Sequence, residues 1–181
     1  MGFLRYALYG ARKARELHLK EPRTKGFIGE TLVRKALKNE KLVLNNIVLG
    51  DIKKTQIDHI VINDKGILVI ETKNYSGLIK GSGNSRFWTQ HINKKQFIFL
   101  NPLLQNEYHI SFLSHLFPEF KPYFKSLVVF TESSTLNISK EENVIQLGQL
   151  SDHMSDLPKV EFSDERQNAF YDLLLKRKTN K

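Results

Sequence analysis

Two carboxylates and a lysine occupy positions from which they could act together. Asp58 lies in Gln56-Ile57-Asp58-His59-Ile60-Val61-Ile62, and Glu71 and Lys73 lie in Gly66-Ile67-Leu68-Val69-Ile70-Glu71-Thr72-Lys73. Both runs have strand character, and Asp64-Lys65 between Asn63 and Gly66 is a gap of tight-hairpin length. With Asn63 opposite Gly66, opposed residue numbers sum to 129, which sets Asp58 against Glu71 and Gln56 against Lys73. Directly opposed side chains have Cβ atoms about 4.5–5.5 Å apart, and like charges placed so are destabilising without compensation. A divalent cation supplies that compensation, and the two-residue strand period puts Lys73 on the face of Glu71. A bulge at Gly66 would instead pair Asp58 with Thr72 and disperse the carboxylates. Charged residues at strand ends are commonly just solvated, but these two adjoin strongly apolar runs, where an unpaired carboxylate is costly.

A third carboxylate comes from the preceding segment, where a helix is predicted from Gly26 to about Asn39 with Ile28, Leu32, Val33, Ala36 and Leu37 as its apolar stripe. Glu30 falls at one flank of that stripe and Gly29 at its centre, which suits a close approach of helix to sheet. Glu30 also reads as an ordinary boundary glutamate. Gln105 and His109 are four apart on one helix face and, with Gln90 and Gln56, are candidate substrate contacts; a plain polar face is the alternative. His59 alternates to the face opposite Asp58 and reads as a satisfied sheet residue.

These residues need a frame, and the chain supplies one. A basic amphipathic helix over Phe3–Ala14 and a linker over Glu21–Lys25 precede the first helix of the domain. Strands are expected at Leu42–Leu49, Gln56–Asn63 and Gly66–Lys73, then a glycine-rich loop or twisted hairpin over Gly77–Gly83 and a strand pair, Arg86–Ile92 and Gln96–Leu100. Asn101-Pro102 is an N-cap followed by an N1 proline, opening a helix to about Phe117 that Pro118 and Pro122 close. A buried strand over Ser126–Thr131, a short strand near Val144–Gln146, a helix near Leu150 and a last helix from Ser163 to about Arg177 complete an α/β chain with a mixed sheet flanked by helices. Trp88 and Phe97–Phe99 read as core in preference to base-stacking residues.

The 181 residues carry 28 basic and 19 acidic side chains, a net charge of +9, and no cysteine. That excludes disulfides, thiolate metal sites and a catalytic thiol. No apolar run reaches the length of a membrane span, no GxxxxGK[ST] loop or GxSxG elbow is present, and the chain reads as cytoplasmic. Residues 1–25 hold +5 and residues 176–181 hold +4, whereas residues 26–100 carry 12 bases and 6 acids. The basic half is therefore the half with the motif, and the partner it suits is a polyanion.

Gly29-Glu30, Gln56-Ile57-Asp58-His59-Ile60, Ile70-Glu71-Thr72-Lys73-Asn74-Tyr75-Ser76-Gly77, Trp88-Thr89-Gln90 and Asn101-Pro102-Leu103-Leu104-Gln105-Asn106 with His109 together resemble the nuclease-related domain (NERD) family, from about Lys25 to Leu147. The resemblance implies a restriction-endonuclease-like core of the PD-(D/E)xK superfamily, and divalent-metal-dependent cleavage of DNA. It implies Glu30, Asp58 and Glu71 as the acidic site and Lys73 as the motif lysine. Mg²⁺ or Mn²⁺ would then be held by Asp58, Glu71, the Thr72 carbonyl, and Glu30 directly or through water. Ile57 stands where the superfamily has proline, which shapes backbone and removes no ligand. The domain is expected over residues 25–150, between a basic N-terminal segment (1–24) and a helical C-terminal extension with a basic tail (151–181). A homodimer is what the resemblance suggests. Two other readings are a non-cleaving nucleic-acid-binding module on the same fold, and a membrane-peripheral or scaffold protein that works through its basic N-terminal helix.

Overall fold

The computed structural model describes residues 22–139 and 143–179; the expected helix over Phe3–Ala14 lies outside them. Helix α1 (Pro22–Ala36) is followed by strands β1 (Leu42–Leu49), β2 (Thr55–Asn63), β3 (Gly66–Lys73), β4 (Gly77–Gly81), β5 (Phe87–Ile92) and β6 (Lys95–Leu100), then helix α2 (Pro102–Leu116). A 3-10 turn (Pro118–Tyr123) leads into β7 (Phe124–Phe130), β8 (Ser134–Ile138) and β9 (Val144–Gln146), and helices α3 (Leu150–Asp156) and α4 (Asp164–Arg177) close the chain.

The strands form two mixed sheets. The first runs β1-β2-β3-β7-β9 and the second β6-β5-β4-β8. In the first, β1, β2 and β3 are antiparallel neighbours, and β7 and β9 run parallel to β3. Asn63 pairs with Gly66 and His59 with Ile70, the register the two-residue gap predicts. Two elements differ from expectation. Gly77–Gly81 is a strand, not a loop, and β8, unforeseen, pairs with it in parallel. Ser134–Ile138 carries no long apolar run, and its pairing is supplied by a neighbour distant in sequence.

Helices α2 and α4 cover one face of the first sheet, burying Ile60, Ile62, Ile67 and Val69 with Leu113, Phe117, Phe170 and Leu174. Helices α1 and α3 cover the other, with Val33, Leu37, Leu150 and Met154 against Val61, Leu68 and Ile70. Helix α1 begins at Pro22, within the expected linker, because a first-turn proline lacks only an N–H that the helix leaves unbonded. Its apolar stripe is also narrower than predicted: Gly29, Val33 and Leu37 are buried, but Ile28 and Leu32 are 47% and 41% exposed. Gly29 brings the helix so close to the sheet that a single ridge makes contact. A Cβ there would stand 2.7 Å from Asn74 Cβ and 3.3 Å from Thr72 Cγ2. Asn74 reinforces the approach by donating to the Lys25 carbonyl at 2.7 Å and accepting from Thr131 Oγ1 at 2.6 Å.

Asn101 caps α2 by accepting from Leu103 N–H at 2.9 Å, as the Asn-Pro pair predicts. Trp88 is fully buried, stacked on Phe130 with centroids 6.2 Å apart, and so belongs to the core between the sheets. The last described residues return to the edge of the first sheet, where Lys178 bridges Leu49 and Thr179 N–H donates to the Val48 carbonyl. Among the described residues no helix is long and apolar enough to cross a membrane.

Two glycines of α1 should respond to alanine with opposite signs. Gly26 has only Glu30 Oε1 near its would-be Cβ, at 3.9 Å, so Gly26→Ala gains helix propensity, up to about 1 kcal/mol. At Gly29 the same gain is outweighed by overpacking of about 1–3 kcal/mol. Thermal unfolding of the two variants should show a rise for the first and a fall of several degrees for the second. A rise in both would show that α1 does not pack at this distance.

Candidate active site

Asp58 occupies a break in the sheet. The β1–β2 ladder pairs Asn45 with His59 and Ile47 with Ile57, passing over Asn46 and Asp58, and the β2–β3 ladder ends at His59–Ile70. Asn46 has φ of 53°, in the left-handed region. Side-chain alternation slips by one residue on both strands at this point. Leu44 and Ile47 enter the same core cluster although three apart, and so do Ile57 and Ile60. Asn46 and Asp58 stand opposite one another in a register that is the same on both sides of the break, and the Asp58 carboxylate takes over the missing pairing to β3: Oδ2 accepts from Thr72 N–H at 2.9 Å. The 129 register thus holds from His59 to Gly66, and Asp58 meets β3 through its side chain.

Glu71 lies beside it, only 3% exposed. Lys73 Nζ donates to Glu71 Oε1 at 2.6 Å and to Gln105 Oε1 of α2 at 2.9 Å. His109 Nε2 stands 3.5 Å from Glu71 Oε2, within ion-pair reach but too far for a hydrogen bond, so both atoms are buried without a hydrogen-bond partner. The other ring nitrogen of His109 is 2.7 Å from Thr55 Oγ1 at the start of β2. Helix α2 is therefore fastened to the site by Gln105 and His109, one turn apart on the face that looks at β3.

Glu30 is reached through a separate chain of contacts. Its Oε2 accepts from Asn46 Nδ2 at 2.6 Å, and Asn46 Oδ1 accepts from Gln56 Nε2 at 2.7 Å. Glu30 is near enough for its charge to act on Asp58. Among the described residues, no three His, Asp or Glu side chains stand together closely enough to ligate one ion. Gln90, on β5 of the second sheet, donates to the Ser76 carbonyl at 2.8 Å. His59 is buried toward α1, with Nδ1 2.7 Å from Asn45 Oδ1 and Nε2 unpartnered.

The electrostatics follow from this packing. Burial, and then the charge of Glu71, push the Asp58 carboxyl up to about 7, against the partial relief of the Thr72 N–H and Lys73. Burial also raises Glu71, but Lys73 and His109 outweigh it and hold Glu71 below the usual carboxylate range. Burial works against the Lys73 ammonium, yet the Glu71 carboxylate beside it holds its pKa above the ordinary lysine value. Burial, then the Arg34 charge, lower His59 to about 4, which keeps its ring neutral. Of the two adjacent carboxyls, Glu71 is held ionised by Lys73 and His109, whereas Asp58 has only partial relief. The incompletely compensated Asp58 carboxyl and Glu71 Oε2, which has no hydrogen-bond partner, form an oxygen donor set that suits a hard divalent cation.

Sequence reasoning missed Asn46 and Asn106. A left-handed residue within a strand has no clear signal other than Asn itself, which tolerates that conformation better than most. Asn106 is fully buried and donates to the Val69 carbonyl at 2.7 Å and Ser126 Oγ at 2.9 Å, fixing α2 over the seam between β3 and β7.

A mixed sheet carrying an aspartate at a break in one strand and Glu-x-Lys on the next, with helices on both faces, is of the restriction-endonuclease-like α/β class. The chain belongs to the nuclease-related domain family, whose model matches residues 25–131. It is similar to an uncharacterized protein of Bacillus anthracis, 34% identical over 165 residues that cover 84% of this chain and 77% of that protein. No solved structure matches it.

The Asp58 shift has a measurable consequence. The folded chain takes up the Asp58 proton more readily than the unfolded chain, whose carboxyl has the ordinary value of 3.8. The stability associated with this proton is thus present at low pH and lost as pH rises toward about 7. Asp58→Asn removes the titration and leaves an acceptor for Thr72 N–H. In EDTA, the stability gained by Asp58→Asn over wild type should grow between pH 5 and 7, by up to about 1.4 kcal/mol per pH unit, and level off above. Denaturant unfolding at several pH values checks this; a gain independent of pH would refute a raised Asp58.

Proposed function

We propose that this chain is a divalent-metal-dependent nuclease that hydrolyses DNA phosphodiester bonds. The observation that carries the reading is the pair of a half-buried Asp58 and a buried Glu71, in which Lys73 neutralises one oxygen of Glu71, Glu71 Oε2 has no hydrogen-bond partner, and the Asp58 carboxyl has no cation in contact. Burial of such groups is costly unless a charge completes them. Membership of the nuclease-related family supports the same reading.

In this proposal Asp58, Glu71 and the Thr72 carbonyl hold Mg²⁺ or Mn²⁺, and Glu30 takes part through an intervening water. Magnesium takes one or two protein carboxylates and completes its shell with water and substrate phosphate, so two close carboxylates are sufficient protein ligands. A bound divalent cation supplies Lewis-acid polarisation of the phosphate and an acidified water. Lys73 serves in two ways, holding Glu71 ionised through the 2.6 Å ion pair and presenting positive charge where the phosphate gains negative charge. Gln105 fixes the lysine by accepting a hydrogen bond from its ammonium. Asn46 keeps the Glu30 carboxylate at the edge of the site.

A second reading, a nucleic-acid-binding module without cleavage, draws on one observation: Glu30 is engaged by Asn46 and no three acids converge among the described residues. Cleavage of plasmid and oligonucleotide DNA in Mg²⁺ or Mn²⁺ and in EDTA separates the two. The nuclease reading expects activity in metal only, with Asp58→Ala lowering the rate roughly a hundredfold or more. Equal rates for wild type and Asp58→Ala, with and without EDTA, would exclude the metal site. Salt-sensitive DNA binding with no cleavage under any condition would select the second reading.

A further inference from the structure

The second sheet has one face in the core and one open. Trp88 and Ile79 point inward, where they pack with Phe130, Val128 and Leu103. Their neighbours in sequence point outward, so the open face carries a continuous cross-strand row: Asn137 pairs with Lys80, Lys80 with Thr89, and Thr89 with Ile98. Phe87 stands two residues along β5 from Thr89 on the same face. Ile98 is 65% exposed and Phe87 45%, beside an exposed Lys80. The Arg86 guanidinium lies over the Phe87 ring, 5.2 Å from its centroid.

The charge of this sheet is one-sided. From Asn74 to Asn106 the sequence has four basic residues and not one Asp or Glu, and Ser134–Ile138 adds no acid. Four strands without a carboxylate, in a chain with 19 acidic residues, form a surface that meets a polyanion without repulsion. An exposed aromatic ring and a branched aliphatic beside a cation, on a rigid sheet, suit unstacked bases on the rings and phosphates on the lysine. A duplex hides its base faces and could not use Phe87 in this way.

We infer that the open face of the second sheet binds single-stranded DNA, with a base stacked on Phe87, a neighbouring base in apolar contact with Ile98, and the backbone held by Lys80. This rests on the nuclease reading for the choice of DNA, and it assigns that site a single-stranded or locally unpaired substrate. The platform and the site are joined covalently at short range: β4 begins at Gly77, four residues after Lys73, and Gln90 of β5 bonds the intervening Ser76 carbonyl at 2.8 Å. The sheet that receives the strand is thereby held in register with the Glu71–Lys73 pair.

Fluorescence anisotropy of a labelled oligo(dT) longer than about 16 nucleotides, the upper site size of one single-strand-binding fold, tests this with the full chain in EDTA. Wild type should prefer the single strand to a duplex of equal length. Phe87→Ala should weaken binding roughly 5- to 150-fold, the range of one base–aromatic stack, while Phe87→Trp retains it. Lys80→Glu should also weaken it and lower the salt slope by roughly 0.7 or more. Lys80 is exposed and Phe87 belongs to none of the core clusters, so neither change removes core packing. Unaltered oligo(dT) binding in both variants would overturn the proposal, as would absence of binding by wild type. A homodimer dissociated by Phe87→Ala with DNA binding unchanged would reassign the face to a second copy of the chain. The nuclease reading fails or stands separately: binding through Phe87 without metal-dependent cleavage retains the platform and rejects the nuclease, and cleavage indifferent to Phe87 does the reverse.

Discussion

The ion pair between Lys73 and Glu71 is the interaction on which the site and much of its surroundings depend. A carboxylate that is 3% exposed can remain ionised only with a cation in contact. The cation comes from two residues further along the same strand, on the same face, and is itself buried enough to need fixing. Gln105 fixes it, and His109 stands against the far oxygen of Glu71 while its other nitrogen reaches Thr55. Removing Lys73 would leave a naked buried charge and loosen α2 from β3 at once. The same pair sets the asymmetry of the site, since Lys73 touches Glu71 and gives Asp58, on the neighbouring strand, only partial relief from burial and repulsion.

That asymmetry is built from a backbone irregularity. If β1, β2 and β3 were regular, Thr72 N–H would be bonded to β2 backbone and Asp58 would be one more outward or inward side chain. The phase slip at Asn46 and Asp58 removes a rung from both ladders, frees Thr72 N–H and turns the Asp58 carboxylate onto it. Asn46, left-handed at the same level, then uses both ends of its amide to join Glu30 of the first helix to Gln56. Irregularities of this kind persist where surrounding packing over-determines them, and they concentrate at functional sites.

The sequence therefore revealed the parts that periodicity controls. Two residues between two apolar runs determined the hairpin register, and the strand period placed Glu71 and Lys73 on one face, with His59 buried on the other. Gly29 marked the close approach of helix to sheet, and Asn101-Pro102 marked the start of the second helix. Features decided by tertiary context were not legible. The slip at Asp58 leaves no trace in a pattern of Ile and Val that reads as continuous strand. The exposure of Ile28 and Leu32 depends on how closely Gly29 lets the helix dock. Ser134–Ile138 becomes a strand because Gly77–Gly81 offers it an edge. Gln105 and His109 were visible as a polar pair on a helix face, but that they turn inward to Lys73 and Glu71 follows only from where α2 lies.

The distribution of charge takes on a different meaning once the strands are placed. In sequence, residues 26–100 are a basic segment with six acids in it. All six, Glu30, Glu40, Asp51, Asp58, Asp64 and Glu71, precede Thr72, and none belongs to the second sheet. The boundary between the acid-bearing and acid-free stretches falls between Glu71 and the start of β4, where the chain leaves one sheet to build the other. Carboxylates are useful to a phosphate-handling protein only where a cation offsets them, and elsewhere they repel the substrate. Among the strands, only β2 and β3 carry a carboxylate, Asp58 and Glu71, and Lys73 is followed by a sheet that has none, so on the proposed reading attraction of a polyanion is kept apart from the chemistry at the site. Lys73 ends β3, and only the three residues Asn74, Tyr75 and Ser76 separate it from the first strand of the second sheet.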